Sequence, residues 1–169
     1  MPIALPVPAR LLLAFVLVLP AAAHAQSAAM PTCMTLLPAE AIAKVAGETF
    51  RDLGSEVSRS GASDCEWAAR LGTPGAKTLS FTFYDVVALQ ASPAYANADE
   101  YFESVVSGPE QRSSGKREML PGIGVKAAFV PATPQVLVAV QRKDGVARLV
   151  GNNLTKAQMI ALARAIAAP

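Results

Sequence analysis

The sequence predicts an α+β fold, a single domain with a mainly antiparallel sheet and helices packed on one face, in the order helix, strands, helix, strands, helix. Three observations carry this. Runs with two-residue alternation, clearest where Leu79, Phe81 and Phe83 interleave with Thr78, Ser80, Thr82 and Tyr84, are separated by single runs of helical period. The turns between strand-like runs are short, Gly72-Thr-Pro-Gly75 and Lys143-Asp-Gly145, as antiparallel hairpins require. The only two cysteines, Cys33 and Cys65, and the only tryptophan, Trp67, share one stretch, which gathers half of a small core around them.

Residues 1–25 read as a cleaved signal peptide rather than as structure. Arg10 is the only charged side chain before the apolar run Leu11 to Leu19, and Ala23-His24-Ala25 is a small-x-small cleavage site. The apolar run is about a dozen residues, short of the roughly 20 that a spanning helix needs, so no transmembrane anchor is expected after cleavage behind Ala25. No cysteine sits at the cleavage point, so a lipid-modified N-terminus is not expected. The expected location is periplasmic or secreted, with residues 26–32 a flexible leader and residues 33–169 a single α+β domain large enough to bury roughly two thirds of its unfolded surface.

Taken in order, the first helix is expected after Pro38, with Ile42, Val45 and Ala46 on one face and Gly47 as its stop. Thr49 to Leu53 reads as a short edge strand. Cys65, Trp67 and Ala69 then alternate with Asp64, Glu66 and Arg70, so Trp67 faces the side of Cys65. Around Gly72–Gly75 this strand pairs with the next. Asn97 with Glu100 forms a capping box for a helix that carries Tyr101, Phe102, Val105 and Val106 and ends at Gly108. Lys116 to Leu120 is extended, and Pro121-Gly-Ile-Gly124 is a turn in which Gly122 and Gly124 are structural. Strands follow at 125–130, 136–140 and 146–150, the second apolar on both faces and hence central. Thr155 with Gln158 caps the last helix, whose stripe is Met159, Leu162, Ala163 and Ile166.

An exported chain with two cysteines points to one structural disulfide, Cys33 to Cys65, closing a loop of about 33 residues worth roughly 3–4 kcal/mol on the chain-entropy model. A metal pair or a redox dithiol are the alternatives, but no C-x-x-C occurs and no histidine follows His24. The same absence removes histidine triads, Cys-His dyads and imidazole metal sites, so no catalytic residue, no metal site and no cofactor are assigned. Gly122-Ile-Gly124-Val-Lys-Ala127 matches a dinucleotide fingerprint in letters, but a strand-like run follows it where the fingerprint needs a helix. Ser113-Ser-Gly-Lys116 matches S-x-x-K without S-D-N or K-T-G.

Charge is divided along the chain. Residues 33–110 carry 5 Lys/Arg against 11 Asp/Glu, and residues 111–148 carry 7 against 2. A basic sheet edge formed by Lys116, Arg117, Lys126, Arg142 and Arg148 is a candidate binding surface for an anionic envelope component or an acidic protein. The plainer reading is that the two halves neutralise each other. Nucleic acid is not expected, because the basic residues lack interleaved aromatics.

Cys33 followed by Leu36-Leu37-Pro-Ala-Glu40, the Cys65-Glu-Trp67 strand, Gly122-Ile-Gly124 with Ala127, and an alanine-rich closing helix resemble the exported C-x-W proteins of actinobacteria and their relatives, a family of unknown function with many lipoproteins. The resemblance implies an α+β sandwich and a cysteine bridge, and no activity. The expected function is a secreted, non-enzymatic binding or accessory domain of the cell envelope. Two other classes stay open: a small envelope enzyme using Asp64, Glu66 or Asp85, and an interaction or inhibitor-like module acting through a strand edge.

Overall fold

The computed structural model describes residues 31–58, 61–113 and 115–167. The expected signal peptide and most of the leader 26–32 lie outside the described residues. Thr32, expected in the leader, belongs to the fold. Its hydroxyl accepts from the Thr35 amide and its own amide donates to the Thr35 hydroxyl, capping the one-turn helix α1 (Cys33–Leu36).

Helix α2 (Ala39–Ala46) starts directly after Pro38 and stops at Gly47, whose φ of 76° is the left-handed conformation that glycine adopts without steric cost. The edge strand β1 (Arg51–Val57) starts and ends later than the expected 49–53, with a bulge between Asp52 and Gly54. Strands β2 (Ala62–Ala69) and β3 (Lys77–Asp85) form the expected hairpin. Asp85 then caps the short helix α3 (Val86–Ala91) by accepting from the amides of Val87 and Ala88, an element that five apolar residues and one glutamine gave no periodic sign of. Helix α4 (Ala98–Arg112) begins with Asn97 accepting from the Glu100 amide. It continues past Gly108, where the sequence places its end. Pro109 forfeits one intrahelical hydrogen bond, yet Glu110 is tied to Arg117 through both the amide and the guanidinium, and this holds the last turn in place.

The second half supplies β4 (Glu118–Met119), β5 (Lys126–Ala132), β6 (Gln135–Gln141) and β7 (Gly145–Asn152), followed by α5 (Lys156–Ala167). Thr155 and Gln158 cap α5 reciprocally, as the sequence predicts. All strand pairs are antiparallel, in the order β1-β2-β3-β7-β6-β5-β4. The strand expected to be central, β6, is interior and covered on both faces, while the middle position belongs to β7.

The α+β class and the order of elements hold, but the helices pack on both faces rather than one. On the first face Cys65, Trp67, Leu79, Phe81, Phe83, Phe129, Val138, Val140, Ala147 and Leu149 meet α1, α2 and α5. On the second, Ala128, Val130, Leu137, Ala139 and Val146 meet α3 and α4. The physical reason is strand composition: β5 and β6 are apolar on both sides and need two covers, whereas the second side of β2 and β3 is polar and does without one. Trp67 is fully buried beside the Cys33–Cys65 disulfide, whose Cα atoms are 6.0 Å apart. Gly124 has φ of +60°, and a Cβ there would stand 2.5 Å from the Gln141 carbonyl oxygen, so the position requires glycine.

Replacing both cysteines by alanine removes a cross-link over 32 positions without adding a polar group. The expected loss is about 3–4 kcal/mol, read as a lower urea midpoint at unchanged slope. An unchanged midpoint would mean that the bridge adds nothing to stability.

Candidate functional site

The second face of the sheet is only partly roofed. Helix α4 lies over β5, β6 and part of β7. Cross-strand register runs two rows outward from beneath it, Arg148–Thr82–Asp64–Glu56, polar throughout, and Val150–Ser80–Glu66–Gly54, polar at its centre, each row reading β7, β3, β2, β1. Directly opposed residues point to the same side, so these rows form one surface. Thr78, Ser80 and Thr82 make a floor of small hydroxyls along β3, and Thr78 accepts from the Asn152 side-chain amide at 2.8 Å. Three adjoining hollows share residues along this floor. One holds Arg112, Gln135, Arg148 and Val150; the next Gln135, Val150, Glu66 and Ser80; the last Glu66, Ser80, Asp64 and Glu56. Together they form a groove with guanidinium groups at one end and carboxylates at the other.

A tyrosine cluster borders this surface. The Tyr101 ring lies 4.7 Å from that of Tyr84 and 4.9 Å from that of Tyr95. Burial, reinforced by Tyr84, raises the Tyr101 hydroxyl well above the ordinary tyrosine range, with the charge of Arg148 opposing. Tyr101 is therefore a neutral donor or acceptor throughout the physiological range.

The five cations singled out in the sequence do not form one surface. Arg117 binds Glu103 at 2.6 Å and Glu110 at 2.7 Å, and Lys126 binds Glu103 at 2.5 Å. Arg142 binds Asp144 at 2.7 Å and also donates to the Ile166 carbonyl. Lys116 is exposed. Only Arg148 lies in the groove. Three of the five are thus answered by carboxylates, two of them by the acidic residues of α4, and the charge division in the sequence closes largely on itself.

Of the half-buried cations among the described residues, Lys77, Arg117, Lys126 and Arg142 each have a carboxylate partner, and Arg148 has no ion pair or hydrogen bond. Arg112, which joins it in the groove, was not singled out from the sequence; its place on the last turn of α4 was hidden by the expected helix end at Gly108. Of the three candidate carboxylates, Asp85 is engaged as the cap of α3, while Asp64 and Glu66 line the groove. The Gly122–Gly124 turn connects β4 to β5, with no helix after it, so the phosphate-cradling geometry of a dinucleotide site is not formed. Ser113 ends a helix instead of beginning one and donates to the Gly115 carbonyl. Among the described residues no group of three or more His, Cys, Asp or Glu converges as metal ligands, and no helix is long and apolar enough to cross a membrane.

Hydrogen bonds from Lys126 and then Arg117 hold the Glu103 carboxyl below its ordinary range, against the opposing effect of burial. A lowered native pKa stabilises the fold above the unfolded-state value of about 4.3, and that stabilisation is lost as pH falls through the native pKa. Glu103→Gln, which mimics the protonated side chain, is expected to cost about 1 kcal/mol or less at pH 7, because the group is partly exposed. The difference from the parent chain should shrink below about pH 4.3 and vanish below the native pKa, measured by urea unfolding across pH. A difference that persists at low pH would assign it to packing instead. Comparisons of the chain with protein-family models, with characterised proteins and with solved structures gave no match.

Proposed function

We propose that the chain is an exported, non-enzymatic binding domain of the bacterial cell envelope, which holds its partner in the groove on the unroofed half of the sheet. The observation that carries this reading is the half-buried Arg148 without a counter-charge, set in a continuous groove that ends in Asp64, Glu66 and Glu56. An antiparallel sheet can turn a polar face to water, so exposure alone assigns nothing. Desolvating a guanidinium without a partner costs free energy, and a ligand that supplies the missing charge recovers it. Residues 1–25 are the export signal in this reading, and the disulfide suits an oxidising compartment. Kinship with the exported C-x-W proteins belongs to the same proposal.

A separate observation favours a second reading, an interaction through the sheet edge. Strand β1 is paired on one side only, and all seven of its residues are exposed, Leu53 and Val57 among them. A partner segment adding to this edge would bind through its main chain. The bulge at Asp52–Gly54 and the charge of Glu56 work against it, since both are devices that protect edges from pairing. Enzymatic use of carboxylates has less support, with Asp85 engaged in a cap and Asp64 and Glu66 in an open groove.

Expression of the full chain in a Gram-negative host is expected to yield periplasmic protein beginning at Gln26 with the bridge formed, read by fractionation and intact mass. Retention of residues 1–25 would overturn the export assignment. For the groove, an envelope extract passed over the immobilised protein is compared with the Glu66→Arg/Thr82→Arg variant, which fills the floor, and with Lys44→Glu on the exposed side of α2. Retention of the bound component should fall about tenfold or more in the groove variant alone, the loss typical of a blocked interface centre. Equal retention by all three would overturn the groove, and loss confined to Leu53→Lys/Val57→Lys would transfer the site to the β1 edge.

A further inference from the structure

The end of the groove between α4 and the β5–β6 turn has the features of a site for one kind of chemical group. Arg148 projects from the middle of β7 on the side facing α4. Its cross-strand neighbours on that side are Thr82 and Ala139, both small, and its neighbours along the strand are Val146 and Val150. The nearest carboxylate in its row, Asp64, is two strands away, about 10 Å between backbones at the usual strand spacing, and forms no ion pair with it. Among the described residues the guanidinium makes no ion pair or hydrogen bond, although its charge is felt at the Tyr101 hydroxyl. Its donors form a rigid planar fork matched to an oxyanion.

The surroundings narrow the choice. The hollow is about 220 Å³. Arg112 and Ser113 close it from the end of α4, Thr133 and Gln135 from the β5–β6 turn, and Leu137 and Val150 from the sheet. No aspartate or glutamate lines it, so two guanidinium groups stand there uncompensated. The volume lies below the roughly 300 Å³ at which drug-sized ligands are usually held, so the hollow itself suits a group the size of an amino acid, with the rest of a longer ligand lying along the groove. Apolar walls from Pro109, Pro134, Leu137 and Val150 suit an anion carried on a small apolar body better than a fully hydrated ion. Beyond it, the hydroxyl floor at Ser80 offers hydrogen bonds to a main chain, and Glu66 and Asp64 offer a place for positive charge further along.

We propose that the Arg112–Arg148 hollow binds the free terminal carboxylate of a short peptide with small side chains, the peptide chain running over β3 towards Glu66. This rests on the groove being the binding face and names the chemistry at one end of it. Arg148 pairs with the carboxylate through its fork, Arg112 adds charge at the rim, and the acidic end discriminates in favour of peptides with an amine.

The test is isothermal titration of the oxidised protein with three probes: Ala-Ala-Ala with a free C-terminus, the same peptide as its C-terminal amide, and inorganic phosphate. The free acid is expected to bind about tenfold or more tightly than the amide, the worth of a hydrogen bond to a charged group. Arg148→Gln should remove that preference and Arg112→Gln should weaken it, with near-ultraviolet circular dichroism showing that both variants keep the native packing. Because Arg112 is exposed, its variant tests the site even if Arg148→Gln fails to fold. Equal binding of acid and amide overturns the proposal, as does binding of phosphate with both peptides silent, which would assign the hollow to a phosphate group. If all three probes are silent while capture of an envelope component still depends on Glu66 and Thr82, the carboxylate assignment falls and the groove stands.

Discussion

The structure depends on one long-range pairing, that of β3 with β7. Before it forms, the chain is two separate strand groups, β1-β2-β3 and β7-β6-β5-β4, each with an edge that leaves main-chain donors and acceptors unpaired. Eight residue pairs from Thr78–Asn152 to Asp85–Gly145 join them into one sheet. Gly145 is indispensable at one end of this seam, because a Cβ there would collide with the Tyr84 carbonyl and the Phe83 ring. Asn152 secures the other end through Thr78. Phe81 and Leu149 pair on one face of the seam, and Thr82 and Arg148 on the other, so the same register builds the core and sets out the groove.

The seam also explains how an asymmetric charge pattern is tolerated. Helix α4 belongs to the acidic half of the sequence and lies on strands of the basic half, where Glu103 and Glu110 meet Lys126 and Arg117. These bridges pin both ends of the loop between α4 and β5, and Lys126 also lies over the Phe102 ring, 4.7 Å from its centre. The charges that first suggest a binding surface thus serve mainly to seat a helix. The residue left over, Arg148, is on the strand where α4 no longer covers the sheet. The candidate binding group is marked here by the failure of compensation and not by the density of charge.

Local signals were legible where short-range physics decides. The Asn97 and Thr155 caps, the Gly47 stop, the β2–β3 and β6–β7 hairpins, and the alternation that puts Trp67 beside Cys65 all depend on residues a few positions apart. Where compensation comes from elsewhere in the chain the reading failed. Gly108-Pro109 ends a helix by propensity, yet α4 continues because Arg117 holds Glu110. Arg112 entered the groove by the same extension. The hydroxyls of Thr78, Ser80 and Thr82 were visible as the polar face of a strand, but nothing near them said that this face stays open.

The sequence by itself determined the type and order of the longer elements, the α+β class and the only possible cysteine pairing, because periodicity, capping and turn chemistry act over a few residues and two cysteines permit one bridge. Only the tertiary structure decided that helices cover both faces, that Arg117 and Lys126 are spent on α4, and that Arg148 is left facing a groove. Those outcomes follow from which strands become neighbours. The seam brings Thr78 to Asn152 and Thr82 to Arg148, residues whose separation along the chain far exceeds the reach of any local signal.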